Sequence, residues 1–290
     1  MVKKIFYINS EMEPFASVSN LANLSVDIPL GLQDQGNDVR CLMPKYGFIS
    51  ERKYILREVI RLKEILFDYD DIDYECSAKS AFLPKSRLQV YFLENEEKFG
   101  ELNNLLFKSK NGRFLPDNDI RFAFYSLAAI KMLPNLFWFP NVVICNGWTS
   151  ALVPFLIKKL AENDKDLSKI KTIFLTNSLN KDVLFDSSNL PFNVETKKEI
   201  KSYNLNQIGC AYADATIVID DEEKVSGNIM KSNVFKNSKS CSTVDLTKSD
   251  GDSSALLDEI EKVIKALELY VQINFRCHKI TNFNDIHNVL

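Results

Sequence analysis

Side chains able to move protons or bind metals are scarce in this 290-residue chain. Its two histidines, His278 and His287, lie in the last turns of the sequence, so no imidazole serves a site built from anything earlier. The six cysteines, Cys41, Cys76, Cys145, Cys210, Cys241 and Cys277, are widely spread and form no C-x-x-C pair. That spacing argues against a zinc site or a disulfide framework, and thiols inside apolar runs act as small hydrophobes. Asp70, Asp71 and Asp73 form an acidic cluster that lacks the glycine and distal carboxylate of a calcium loop, and it reads as a solvated turn. What remains is chemistry of hydrogen bonding: Asn9, Ser10 and Glu11 directly after an apolar run, then Ser17, Ser19 and Asn20 before a helical stripe, where their side chains suit capping.

The elements that position these groups begin with Ile5-Phe-Tyr-Ile8, an apolar, β-prone run that reads as a buried parallel strand. Leu21, Ala22, Leu24, Ile28 and Leu32 follow at helical spacing, then Gly36-Asn37 and a second strand from Asp38 to Met43. This is a βαβ unit, which dictates a parallel, twisted sheet with a right-handed crossover. Glu51 to Phe82 reads as two strands joined by a charged turn, Leu88 to Leu93 as a strand, and Glu96, Glu97 and Lys98 as a solvated loop face. Phe122, Tyr125, Ala129, Met132 and Leu133 mark a helix with Asp117 or Asn118 at its N-cap. Further strands are expected over 141–145, 171–176 and 212–219, with a helical stretch inside 197–212 and the acids of 220–223 opening another helix. Residues 231–254 are poor in large apolar side chains and read as a polar linker or loop, and Leu256, Ile260, Val263, Ile264, Leu267, Tyr270 and Val271 as a C-terminal amphipathic helix.

A composition of 46% hydrophobic and 26% charged residues is that of a globular domain, and a net charge of −3 with scattered lysines argues against a nucleic-acid or membrane-surface binder. No apolar run approaches the roughly 18 residues that cross a bilayer, and the one after Lys3-Lys4 is too short for a signal peptide, so the expected location is the cytoplasm.

The stretch SEMEPFASVSNLANLSVDIPLGLQDQGNDVRCLMPKYG resembles the opening of bacterial glycogen synthases and plant starch synthases (glycosyltransferase family 5), enzymes that extend an α-1,4-glucan from ADP- or UDP-glucose. Framework positions match at Ser10, Glu11, Pro14, Phe15, Leu21, Ala22, Pro29, Leu32, Gly36, Val39, Pro44 and Tyr46. A second anchor is DNDIRFAFYS at 117–126, and a third is W-x-x-A-L-x-P from Trp148. The resemblance implies an α/β fold: a single Rossmann-like, doubly wound, mostly parallel sheet with helices on both faces, the N-terminal half of the two-domain GT-B arrangement. On that reading residues 1–230 form the Rossmann-like domain, 231–254 the polar linker or loop, and 255–290 the C-terminal helix and tail.

The family's chemical positions differ here. Its phosphate-cradling K-T-G-G is replaced by Ser17, Val18, Ser19 and Asn20, which removes a cation and adds side chains where backbone must approach an anion. The His-Asp before the tryptophan is Asn146-Gly147, and a second histidine is Asn177. Asn can donate and accept hydrogen bonds but does not titrate near neutrality. The resemblance therefore marks Ser17, Ser19, Asn20, Asn146, Trp148 and Asn177 as altered substrate-binding positions, with Asn146 and Asn177 at the family's catalytic-cleft histidines and Trp148 read as a packing anchor more than a sugar platform. It covers approximately residues 1–220, and the motifs of the family's donor domain do not occur in this sequence. The expectation is a synthase-like acceptor-side domain, inactive alone, with an α-glucan as its ligand and no cofactor or metal. Two alternatives stay open: an interaction or scaffold module with a protein partner, and a subunit completed by a separate one.

Overall fold

The computed structural model describes residues 2–69, 72–102, 105–177, 186, 194–201, 204–220, 225–227, 240–248 and 252–281. Its strands are β1 (Lys4–Ile8), β2 (Asp38–Pro44), β3 (Arg57–Glu58), β4 (Ile65–Tyr69), β5 (Ile72–Phe82), β6 (Gln89–Glu94), β7 (Val142–Asn146), β8 (Lys171–Thr176), β9 (Ala215–Asp220) and β10 (Cys241–Asp245). They form one sheet in the order β10-β9-β8-β7-β1-β2-β6-β5-β3, with β4 paired to β5. From β6 to β10 every pairing is parallel; β5 runs antiparallel to β6, and β3 and β4 antiparallel to β5. β1 sits centrally, and Ile5, Phe6 and Tyr7 are fully buried on both its faces, as a strand covered on two sides requires.

The helices are α1 (Leu21–Asp34), α2 (Glu51–Tyr54), α3 (Asn118–Lys131), α4 (Leu133–Leu136), α5 (Leu152–Leu160), α6 (Val194–Ile200), α7 (Leu205–Tyr212) and α8 (Ser254–Thr281). The β1-α1-β2 crossover moves along the sheet in one direction and β7-α5-β8 in the other. Right-handed crossovers in opposite directions place their helices on opposite faces. α5 accordingly packs against both α3 and α7, while α1 packs against α8. The doubly wound α/β expectation holds. α1 stops at Gly36, whose φ of 88° and N–H bond to Gln33 O (2.9 Å) close the last turn in the left-handed conformation open to glycine.

Of the stretch 51–82, read as two strands, residues 51–54 instead form helix α2 and 57–58 the short strand β3; the expected pair is β4 and β5, with Asp68 opposite Asp73, and Asp70 and Asp71 lie outside the described residues. The 197–212 stretch holds parts of two helices, α6 and α7. Asp117 does occupy the N-cap of α3, but its carboxylate pairs with Arg121 instead of capping. Most of the acidic run at 220–223 is outside the described residues; Asp220 itself accepts the Ser226 N–H at 2.8 Å.

The linker reading of 231–254 needs correction. Residues 231–239 are outside the description, but Cys241–Asp245 is strand β10, paired in parallel with β9. Only Val244 of this strand is buried, so an edge strand with one inward side chain carries little apolar signal in sequence. α8 is likewise part of the same core: Leu256, Ile260, Val263 and Ile264 are all buried in it.

Candidate functional site

In an open parallel sheet the ligand crevice lies beyond the carboxyl ends of the strands, where the winding direction reverses. Here that point is between β1 and β7. A cleft of about 200 Å³ opens there, lined among others by Ser10, Glu11 and Ser19, by Phe107, Lys108 and Phe114, and by Trp148, Thr149 and Asn177.

The turn after β1 is clamped in place. Tyr125 on α3 hydrogen-bonds through its hydroxyl to Asn9 O (2.7 Å) and Leu42 O (2.9 Å), which ties the helix to the ends of two strands. The Tyr46 hydroxyl donates to Ser10 O at 2.8 Å, and the Thr149 hydroxyl donates to Ser10 Oγ at 2.9 Å. Glu11, only 2% exposed, then reaches the loop before α1. Its Oε2 accepts the N–H groups of Val18 (2.8 Å) and Ser19 (2.9 Å), and its Oε1 accepts the Ser19 hydroxyl (2.7 Å). Burial raises the Glu11 carboxyl pKa; these three donors and the Lys108 charge pull against that rise.

Of the six positions marked from sequence, the structure brings Ser19, Trp148 and Asn177 into the cleft. Ser17 and Asn20 are exposed and are not among its lining residues. The anticipated cap at this helix entry takes a different form: Asn20 holds the N-cap position without a capping bond, while Ser19 Oγ accepts the Leu21 N–H at 3.2 Å. Asn146 also leaves the cleft. It is 2% exposed, and its Nδ2 donates to Ser25 Oγ of α1 at 3.0 Å, so its side chain faces the helix layer. The following Gly147 makes the corner with φ 78°, and a Cβ there would come within 3.0 Å of Leu21 Cδ1.

Trp148 is the packing anchor it was read as. Its ring meets Phe107 and Phe122 edge-on, each at 5.1 Å, and Phe114 at 6.1 Å, while remaining part of the cleft wall. Sequence reasoning missed Phe107, Lys108 and Phe114. Their signal was present in Asn111-Gly112: Gly112 has φ 82°, and the chain doubles back so that Lys108 bridges Phe114 in antiparallel fashion.

The remaining reactive groups do not extend this chemistry. Burial pushes the thiols of Cys76 and Cys210 up to about 12 and that of Cys241 up to about 11, which leaves them protonated and inert. Among the described residues no group of three His, Cys, Asp or Glu side chains is placed to hold a metal ion, and no helix is long and apolar enough to cross a membrane. The cleft thus presents hydroxyls, an amide, a carboxylate, an ammonium and an aromatic wall.

Comparison with known proteins identifies the family and the fold. The model of the starch synthase catalytic domain matches residues 4–225. Glycogen synthase of Pelodictyon phaeoclathratiforme is 32% identical over 176 residues, 61% of this chain and 36% of that protein. Glycogen synthase of Chlorobium limicola is 32% identical over 194 residues, 67% of this chain and 38% of its own length. The present chain therefore spans a little over a third of these relatives. Among solved structures, the catalytic domain of starch synthase IV from Arabidopsis thaliana, bound to ADP and acarbose, superposes with a TM-score of 0.64 at 17% identity, over 84% of this chain and 51% of that one. At that identity the likeness speaks for the fold.

Proposed function

Since the chain belongs to the starch synthase catalytic-domain family, we propose that its switch-point cleft binds an α-1,4-glucan end, and that this polypeptide by itself does not transfer glucose from a sugar nucleotide. The observation that carries this reading is the make-up of the cleft. Hydroxyls of Ser10, Ser19 and Thr149 and the Asn177 amide stand beside the rings of Phe107, Phe114 and Trp148. Aromatic faces and neutral hydrogen-bonding groups suit a sugar, which is apolar on its ring faces and hydroxylated at its edge. Glycosyl transfer from a nucleotide donor demands more, because a diphosphate must be stabilised as it departs. Position 17, where the resemblance places a phosphate-binding lysine, is an exposed serine, and the two cleft histidines of the pattern are Asn146 and Asn177. The cytoplasm, where sugar nucleotides and storage glucans meet, is the proposed location.

The test is made on one preparation of the full chain. Migration through native gels containing glycogen measures binding, and incorporation of labelled glucose from ADP-glucose and UDP-glucose into maltoheptaose measures transfer. Retardation by glycogen, reduced in Asn177→Ala, with no incorporation is the expected pair of results. Unretarded migration refutes the binding half, and incorporation at the rate of a complete synthase refutes the other.

A further inference from the structure

We infer that the groove along the outer edge of β5 docks an extended, acidic segment of another protein, anchored by one apolar side chain. The groove is about 220 Å³ and is lined by Tyr54, Ile55, Arg57, Ala81, Phe82 and Gln89 among others. Gln89 opens β6, so the groove lies at the amino end of that strand, away from the cleft, and the two share no lining residue. Its size falls below the roughly 300 Å³ at which small-molecule sites begin, and it suits a single side chain carried by a longer polypeptide.

The backbone supplies one cue. Leu83 donates to Leu88 O (2.9 Å), so by the alternation of an antiparallel ladder Phe82 turns its N–H and C=O away from β6. On that side β3 stops at Arg57 opposite Ser80, because the chain before it turns: Ile55 has φ 54° and ψ 48°, and the Leu56 N–H returns to Glu51 O at 3.0 Å. Among the described residues no strand pairs with Phe82 there, and an open edge of this kind is where an extended chain adds. Lipid acyl chains cannot make those bonds. The side chains supply a second cue. Ile55 is 65% exposed and Phe82 63%, so large apolar groups face water in the groove wall. Ile55 is also β-branched in the left-handed region, where glycine or asparagine commonly ends a helix. Neither backbone preference nor burial within this chain accounts for isoleucine at that position, and apolar contact with a partner does.

Charge specifies the partner. Arg57 lines the groove, and the Lys53 ammonium stands 4.7 Å from the ring centroid of Tyr54, another lining residue. None of the lining residues is acidic; Glu58, next along β3, is not part of the wall, and Glu51 is bound by Lys79 (2.8 Å) and Lys45 (3.5 Å). Arg57 forms no ion pair among the described residues. A second copy apposed through this same face would set these cations against themselves, whereas an acidic segment complements them.

The probe is a library of random dodecapeptides displayed on phage, selected on the full chain after depletion on Ile55→Gly. Enriched peptides should carry an excess of Asp and Glu around a large apolar residue, and a fluorescein-labelled one should bind wild type by polarisation, more weakly as salt is raised. Ile55→Gly should weaken it about tenfold, as loss of a buried aliphatic side chain predicts, and Arg57→Glu about fivefold or more. Glycine adopts the left-handed turn freely, so Ile55→Gly should keep the thermal midpoint of wild type, and Arg57→Glu alters an exposed side chain; either variant suffices if the other is unstable. A selection without enrichment, peptides without acidic excess, or affinities unmoved by both substitutions overturns the assignment. So does a concentration-dependent dimer, or retention on phosphatidylserine vesicles, that Arg57→Glu abolishes, since the face would then serve another occupant. All of these outcomes leave the reading of the cleft untouched.

Discussion

Ile260→Ala tests whether α8 belongs to the fold. Ile260 and Leu256 are fully buried, and Val263 and Ile264 are 6% and 3% exposed, on a helix that packs against α1, β9 and β10. Gly31 of α1 is what allows so close an approach, since a Cβ there would lie 2.5 Å from Leu257 Cδ2. Truncating a buried isoleucine costs about 2–5 kcal/mol through lost transfer energy and the cavity left behind. A surface-layer helix can settle toward such a gap, so the lower part of that range, about 2–3 kcal/mol, is expected. Against a total stability of roughly 5–15 kcal/mol this is a large fraction. Urea unfolding followed by far-ultraviolet circular dichroism should show a lowered midpoint with an unchanged slope. Leu269→Ala on the same helix is the control; Leu269 is 58% exposed, and its truncation should stay within about 0.5 kcal/mol of wild type. If Ile260→Ala fell inside that same margin, the docking of α8 would be refuted, and with it the support that α1 receives behind the cleft.

Three further outcomes follow from the site. Because burial holds the Glu11 pKa above its unfolded value, the group contributes its stability fully at acidic pH and loses it as pH climbs through the raised value; the Lys108 charge acts against that rise. Urea midpoints for wild type relative to Glu11→Gln should thus decline as pH rises from the ordinary carboxylate value of about 4 through the raised folded value, and a difference that instead grew would show the sign to be wrong. Tyr125→Phe removes the hydroxyl shared between Asn9 O and Leu42 O, and thermal unfolding should report a loss of about 1–2 kcal/mol. Trp148→Ala should cost about 3–5 kcal/mol by the same measurement, whereas a ring serving only as a sugar platform would leave stability unchanged.

The centre of the sheet was legible because its signals are local and strong. IFYI, the α1 stripe and Gly36 specify a βαβ unit without outside help, and 171–176 reads equally well. Residues 96–100 were harder: Glu96 and Glu97 are exposed, yet Phe99 between such polar neighbours is fully buried against Tyr46, Phe122, Phe124 and Tyr125. One inward residue per turn carries no periodicity to read. β10 escaped for a related reason, since the parallel partner that makes it a strand is distant from any local cue. At the site, position along the chain identified which loops meet, but not which way a strand-end side chain turns. Ser17, Ser19 and Asn20 are neighbours, and only Ser19 faces the cleft. That choice is made by Glu11, which pulls the loop inward through bonds no motif spells out.

Asn146 shows how the cleft can lose a titrating group and stay folded. A side chain at the carboxyl end of β7 has two outlets, the crevice and the α1 layer. Ser25 supplies a polar partner in the layer, and Pro29, lacking an N–H, cannot make the helical bond back to the Ser25 carbonyl. Asn146 takes that outlet. Its Oδ1 and both polar side-chain atoms of Asn9, next to it across the β1–β7 pair, find no partner among the described residues, although all are buried. Buried polar atoms of this kind are where ordered water is held, and a water there would satisfy several of them at once. The polarity that an imidazole would have turned toward a substrate is in this chain turned inward, under α1. What still faces the cleft includes hydroxyls, an amide and aromatic rings, a set that fits the proposed binding without transfer, since hydrogen bonding of that kind needs no change of protonation state.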